Sequence, residues 1–347
     1  MQGDVFASGR ARARKNGTEM DGILFHNVRN FWETPEGGFA MLRASAQVDA
    51  VFDDFGKLMN ASGSGVELRF LMTGDEVEVE LGCESADGVA ACTLYYGDFV
   101  ADWPETDKLV RGRRSSVRIR RSPHAAKLRE IHAREGGRFD PDVVRLGLPG
   151  DRLRYFGVKG GVAVPREDQL PQKTYLAYGS SITHGSIPLH VLHAYVERVA
   201  AGLGADSRNL GFSGRARMEK EVADFLAGEP FDYLTLEMGI NDLGMDPDEY
   251  ERRVRYMLER TAGTHPGAKV LAIDVYRFAL DDVQQARAAE FRRRLESVVK
   301  GLGLPNIRYC SGLYFLRRDG LLAEGLVHPS PEGQIEIGAK ILKLLGE

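Results

Sequence analysis

Residues 178–186 of this chain read "YGSSITHGS": two serines behind a glycine, then a threonine and a second glycine, led in by the apolar, β-prone "TYLA". A serine at a strand-to-helix turn can present its hydroxyl in the crevice beyond a sheet. The N–H groups of a helix start favour a developing negative charge there. That is the setting of a nucleophile, Ser181. An N-cap serine on a Gly-rich turn, or a phosphate loop, explains the stretch equally well when it is taken alone.

Three further segments carry complementary groups. "NLGFSG" ends in Gly214, and a glycine just past a strand lets a substrate oxygen approach a backbone N–H, as an oxyanion hole requires. "EMGIND" sets Asn241 two residues beyond Gly239, where its amide can donate to the same oxygen or simply cap a loop. "EGLVHPS" sets His328 before a proline and a helix start, a suitable place for a general base. A turn, a capping asparagine and a structural histidine account for each of these singly. The order Ser … Gly … Asn … His, each at the end of a strand-like segment, is far rarer than its parts.

The elements that must position these residues differ between the halves of the chain. In the first 165 residues, "VELRFLM" and "EVEVELGC" alternate apolar and polar side chains with a strand's period, and "MTGD" between them signals a hairpin turn. "ILFHNV", "FAMLRA", "ACTLYYGDFV", "SVRIRRS" and "LRYFGVKG" are further short strands, so 1–165 reads as an all-β sandwich, jelly-roll-like domain. "HAAKLREIHAREG" fits a short helix or a long loop. The two-proline stretch "VPREDQLPQ" (164–172) reads as a linker.

From 173 to 347, strand-like segments ("TYLAYGSS", "SRNLGFSG", "YLTLEMGIND", "KVLAIDVYRF", "NIRYCSG") alternate with helix-length patterns, which predicts a parallel sheet with helices on both faces. "HPSPEG" announces the last helix, with Ser330 as N-cap, Pro331 at the first helical position, and Ile335, Ile337, Ile341 and Leu344 as its apolar face. In such a sheet, ligands gather at the carboxyl ends of the strands, where all four motifs fall.

Composition bounds the partners. The 347 residues are 43% hydrophobic and 28% charged, enough for two domains with cores, and the net charge of −4 gives no general pull toward nucleic acid or an anionic membrane. No apolar run reaches the roughly 18 residues of a membrane span, and the N-terminal basic residues precede no apolar signal region. Cys83, Cys92 and Cys310 have no metal-ligand spacing and read as free thiols of a reducing, cytoplasmic compartment, with Cys83 and Cys92 close if their strands pair. The arginine-rich "RGRRSSVRIRRS" (111–122) reads as a solvated strand face, with an anion- or polysaccharide-binding face as the alternative. His184 either lines the substrate pocket or packs. His190 and His193, with no acid partner nearby, make a poor metal site. Glu219 complements a helix start, and Trp32 and Trp103 read as core residues more readily than as sugar platforms.

The four segments together resemble the sequence blocks of the SGNH (GDSL-like) hydrolases, over about residues 173–346. The resemblance implies a flavodoxin-like three-layer αβα catalytic domain and an esterase, lipase or acyltransferase activity without cofactor or metal. By the same likeness Ser181 is the nucleophile and His328 the base, while the N–H groups of Ser181 and Gly214 and the Asn241 side chain form the oxyanion hole. A β-rich half ahead of "YGSSITHG" is similar to the subgroup that includes carbohydrate deacetylases and some acyltransferases. The expected substrate is therefore a small ester, such as an acetylated sugar, hydrolysed through an acyl-enzyme. Transfer to another acceptor and a silent, ligand-binding site are the alternatives. The β-rich half is open to glycan binding, shaping of the active-site mouth or dimerisation.

Two positions depart from the family pattern. Ser180 stands where the family has an aspartate that the chemistry does not require. Gly325 stands where the family places the acid, three residues before the histidine, so Glu324 becomes the candidate to orient His328. A backbone carbonyl, another acid or a bare Ser–His pair are the other solutions.

Overall fold

The computed structural model describes residues 10–102, 107–187 and 190–347, so Trp103 lies outside the described residues. The chain divides into two compact units. The first comprises residues 1–46, 60–172 and 204–206, and the second 47–59, 173–203 and 207–347.

Among the described residues, the first unit is built from two antiparallel sheets, one of nine strands and one of five. Side chains from both meet in one core, where Phe25 of the larger sheet packs edge-on against Phe31 and Tyr155 of the smaller at centroid distances of 5.0 and 4.8 Å. The alternating segments predicted as a hairpin do form strands, Glu67–Met72 and Glu76–Cys83, but they do not pair. The first joins the nine-stranded sheet and the second the five-stranded one. Alternation requires only that one face of each strand be buried, and a short turn between facing sheets satisfies that as well as a hairpin does.

For the same reason Cys83 and Cys92 stand in opposite sheets, and all three cysteines are free and buried. "HAAKLREIHAREG" is the helix Ala125–Glu135. The arginine-rich strand Ser115–Arg120 presents its charges to solvent against the acidic strand beside it, with Arg114 bonded to Glu80, Arg118 to Glu78 and Arg120 to Glu76. Such exposed cross-strand pairs fix register more than they stabilise. Trp32 is 39% exposed, contrary to the core position expected of it.

The second unit holds a five-stranded parallel sheet in the spatial order Ala205–Gly211, Lys173–Gly179, Tyr233–Glu237, Lys269–Ile273, Ile307–Cys310. Numbered along the chain this is 2-1-3-4-5, the doubly wound order. Four of the five strands are almost wholly buried, as parallel strands covered on both faces must be, while the edge strand Ile307–Cys310 buries only Cys310. Helices Tyr195–Leu203 and Pro331–Gly346 pack on each other, as do Lys220–Gly228, Pro247–Thr264 and Asp282–Leu302 in succession. Ser330 caps the last helix as predicted, its Oγ accepting from the Gly333 N–H at 3.2 Å. The helix's inner face differs by one residue: Ile335 is 47% exposed, and Gln334 is the buried side chain. Two short helices, Ala46–Val51 and Asp54–Asn60, are absent from the sequence reading, and nearly all of their residues belong to this second unit.

Candidate active site

The interior strand Lys173–Gly179 runs straight into the serine turn. Its neighbours on either side, Ala205–Gly211 and Tyr233–Glu237, end just before Gly214 and Asn241. Three adjacent strand ends thus carry three of the predicted groups. Ser181 opens a single helical turn, Ser181–His184, whose N-cap is Ser180, with Oγ accepting from the Ile182 N–H at 3.2 Å.

The turn is held from below by Glu237, whose carboxylate accepts from the Ser180 N–H at 2.6 Å and the Thr183 hydroxyl at 3.3 Å. Only glycine fits at 179, because a Cβ there would collide with the Thr183 hydroxyl and the Glu237 carboxylate. Burial pushes the Glu237 carboxyl up from its ordinary range, the Ser180 N–H working against it. From the opposite side, Gln334 of the last helix donates to the Ile182 carbonyl at 3.2 Å and accepts from the Tyr195 N–H at 3.0 Å. Sequence reasoning missed both residues. The signals were a glutamate ending an otherwise apolar strand and a glutamine on the inner face of an apolar helix.

His328 sits in a loop tied by its own backbone. Ala323 N–H donates to the His328 carbonyl at 2.8 Å, Ser330 N–H to Leu321 at 2.8 Å, and Ala279 N–H to Leu326 at 2.8 Å. Leu326 adopts a left-handed φ of 57°, an uncommon conformation for a leucine, two residues ahead of the histidine. This loop brings His328 Nε2 to 2.8 Å from Ser181 Oγ, across 147 residues of chain. Burial lowers the His328 pKa, which keeps the ring neutral and able to accept the serine proton near neutral pH.

Gly214 has φ 67°, which glycine adopts without strain. Among the described residues, neither the Ser181 nor the Gly214 N–H donates to a protein acceptor, so both remain available. Asn241 is oriented by the same turn: with its amide set so that the oxygen faces donors, Oδ1 accepts from Ala216 N–H at 3.2 Å and Arg215 N–H at 3.3 Å. Its NH2 is then the end left to donate. Glu324 is exposed, and no hydrogen bond joins it or any other carboxylate to His328 among the described residues. His184 is buried with its Nδ1 3.1 Å from the Gly211 carbonyl, so it packs under the turn. His190 Nδ1 accepts from the Leu192 N–H at 3.1 Å. No cluster of potential metal ligands occurs among the described residues.

Residues 177–334, which contain all of these groups, match the GDSL-like lipase/acylhydrolase family. The chain carries a GDSL-like lipase/acylhydrolase domain. The fold of the chain, β-rich unit included, is shared with solved structures of low identity. A salicylyl-acyltransferase from a tetracycline biosynthetic pathway superposes with a TM-score of 0.75 at 16% identity, covering 96% of this chain and 99% of its own. A family two carbohydrate esterase from Cellvibrio japonicus gives 0.61 at 13% identity, with 94% and 96% covered. A family two carbohydrate esterase from Clostridium thermocellum in complex with cellohexaose gives 0.55 at 13% identity, with 80% and 90% covered. No curated protein matches the sequence. No helix among the described residues is long and apolar enough to cross a membrane.

Proposed function

We propose that this protein hydrolyses small carboxylic esters through an acyl-enzyme on Ser181, with His328 as base. The observation that carries this reading is the 2.8 Å approach of Ser181 Oγ to His328 Nε2 at the mouth of the parallel sheet. Ser181 Oγ forms its bond to the carbonyl carbon while its proton passes to His328 Nε2. The tetrahedral oxyanion takes hydrogen bonds from the N–H groups of Ser181 and Gly214 and the NH2 of Asn241, each donor worth about 10²–10³ in kcat. The C–O bond to the leaving alcohol breaks as His328 returns the proton to that oxygen. Water, deprotonated by His328, then cleaves the acyl-enzyme and regenerates Ser181.

Among the described residues no carboxylate bonds His328, which supports a Ser–His pair as the working unit, with Glu324 an orienting group only by its place in the chain. Carbohydrate esterases among the structural neighbours make esters of sugars the first substrates to try. The test is product partition from p-nitrophenyl acetate with and without a sugar acceptor. Free acetate in both cases, lost in Ser181→Ala, is the expected result. An acetylated acceptor as the main product would replace hydrolysis by acyl transfer.

A further inference from the structure

The link between the two short helices, with the start of the second, meets the turn that supplies Gly214. Phe52 meets Phe212 edge-on at 5.1 Å between ring centroids. Asp53 accepts from the Gly56 N–H at 2.9 Å and pairs with the Arg215 guanidinium. That guanidinium also lies 5.9 Å from the centroid of Phe55. The Phe55 ring edge covers Gly214 so closely that a Cβ on the glycine would stand 3.2 Å from Cε1. Phe55 is nevertheless 45% exposed. A large apolar side chain is thus fixed by its edge to the turn that carries Gly214, with nearly half of its surface exposed.

We propose that Phe55 is a specificity-determining residue whose exposed ring surface receives the apolar substituent of the acyl group carried by Ser181, favouring acyl groups larger than acetyl. The inference rests on the Ser181 reading above and extends it to the acyl side of the substrate. Gly214 lies beside the oxygen of the reacting carbonyl, so an apolar group anchored on it is within reach of the atoms bonded to that carbonyl. Contact with the ring removes apolar surface from water on both partners, which acetyl is too small to exploit. Two other exposed apolar residues flank the catalytic segments in the chain: Ile187 after the serine turn (51% exposed) and Leu326 before His328 (41%). Both hold left-handed backbone angles, 83° and 57°, unusual for such side chains.

The test measures kcat/KM for p-nitrophenyl acetate, butanoate and benzoate, which share one leaving group, alongside fluorophosphonate labelling of Ser181. Phe55→Ala should lower butanoate and benzoate by about tenfold while acetate stays within about threefold, as expected for apolar contacts in a pocket. Phe55→Leu, which keeps apolar bulk on the oxyanion turn, should retain butanoate and lose benzoate. Leu58→Ala, on the same helix and 41% exposed, should leave all three unchanged. Equal losses on all three esters in both Phe55 variants would overturn the proposal, since they would reduce Phe55 to a brace for Gly214. Unchanged selectivity would overturn it as well. Absence of labelling in the unsubstituted protein would bring down the Ser181 reading itself, a result distinct from labelled variants without altered selectivity.

Discussion

Replacing Glu237 by alanine disturbs the turn that holds Ser181 without touching either reacting side chain. Glu237 is 1% exposed and accepts from the Ser180 N–H at 2.6 Å. Its removal strands a buried donor, at about 1–3 kcal/mol, and deletes one buried methylene, at about 0.8 kcal/mol. The expected destabilisation is therefore about 2–4 kcal/mol. Burial raises the folded-state pKa of this carboxyl, so its contribution is fullest below the unfolded value and declines as pH rises through the folded one. The alanine penalty should accordingly be larger at pH 5 than at pH 8 in urea titrations. Kinetically, a nucleophile displaced by about 1 Å costs on the order of 10² in rate, so kcat on p-nitrophenyl acetate should fall by about that factor. Glu237→Gln keeps an oxygen for the Ser180 N–H and should stay within a few-fold of the unsubstituted enzyme. An alanine variant with unaltered urea midpoint and kcat would refute the argument that Glu237 sets the serine turn.

Three other substitutions or titrations bear on the site. Glu324→Gln should lower kcat/KM by less than about tenfold, because no hydrogen bond ties the carboxylate to His328; a loss near 10⁴ would mean that Glu324 fixes the tautomer as a triad acid does. Burial lowers the His328 pKa, so the acid limb of the kcat/KM profile should fall at a pH below the ordinary histidine value of about 6.5, and a midpoint above it would contradict the geometry. Burial pushes the Asp242 carboxyl up to about 7, with Glu219 adding to the rise, and neither Asp242 oxygen has a partner among the described residues. A raised carboxyl loses stability as pH climbs from its unfolded value toward the folded one, here about 4 kcal/mol in all. Asp242→Asn should thus gain on the unsubstituted protein by up to that amount between pH 4 and 7 in urea titrations.

The order of strands and helices in the second half was legible because a doubly wound sheet announces itself locally, by strand-like segments followed by small or polar residues and by capped amphipathic helices. Ser181, Gly214, Asn241 and His328 could be picked out for the same reason, each lying where a strand ends or a helix begins. The approach of Ser181 to His328 across 147 residues was implied only by the family likeness, and the supports that arrange it could not be read. Glu237 and Gln334 act through buried hydrogen bonds whose partners are distant in sequence, and nothing in their own neighbourhood names those partners. Ile335 shows the cost of reading an apolar face by residue type: the buried position one step before it is filled by a glutamine. The alternation in "VELRFLM" and "EVEVELGC" identified strands but not their sheets, because period two reports a buried face and not a neighbour. The helices of residues 47–59 were missed since each is under two turns and makes its apolar contacts in the other half of the chain's sequence.

The central claim, that His328 activates Ser181, is tested most directly by intact-mass analysis after treatment with a fluorophosphonate. One adduct on the unsubstituted protein, abolished by Ser181→Ala and by His328→Ala, is the predicted result. An unmodified mass for the unsubstituted protein, or an adduct that survives Ser181→Ala, would contradict it.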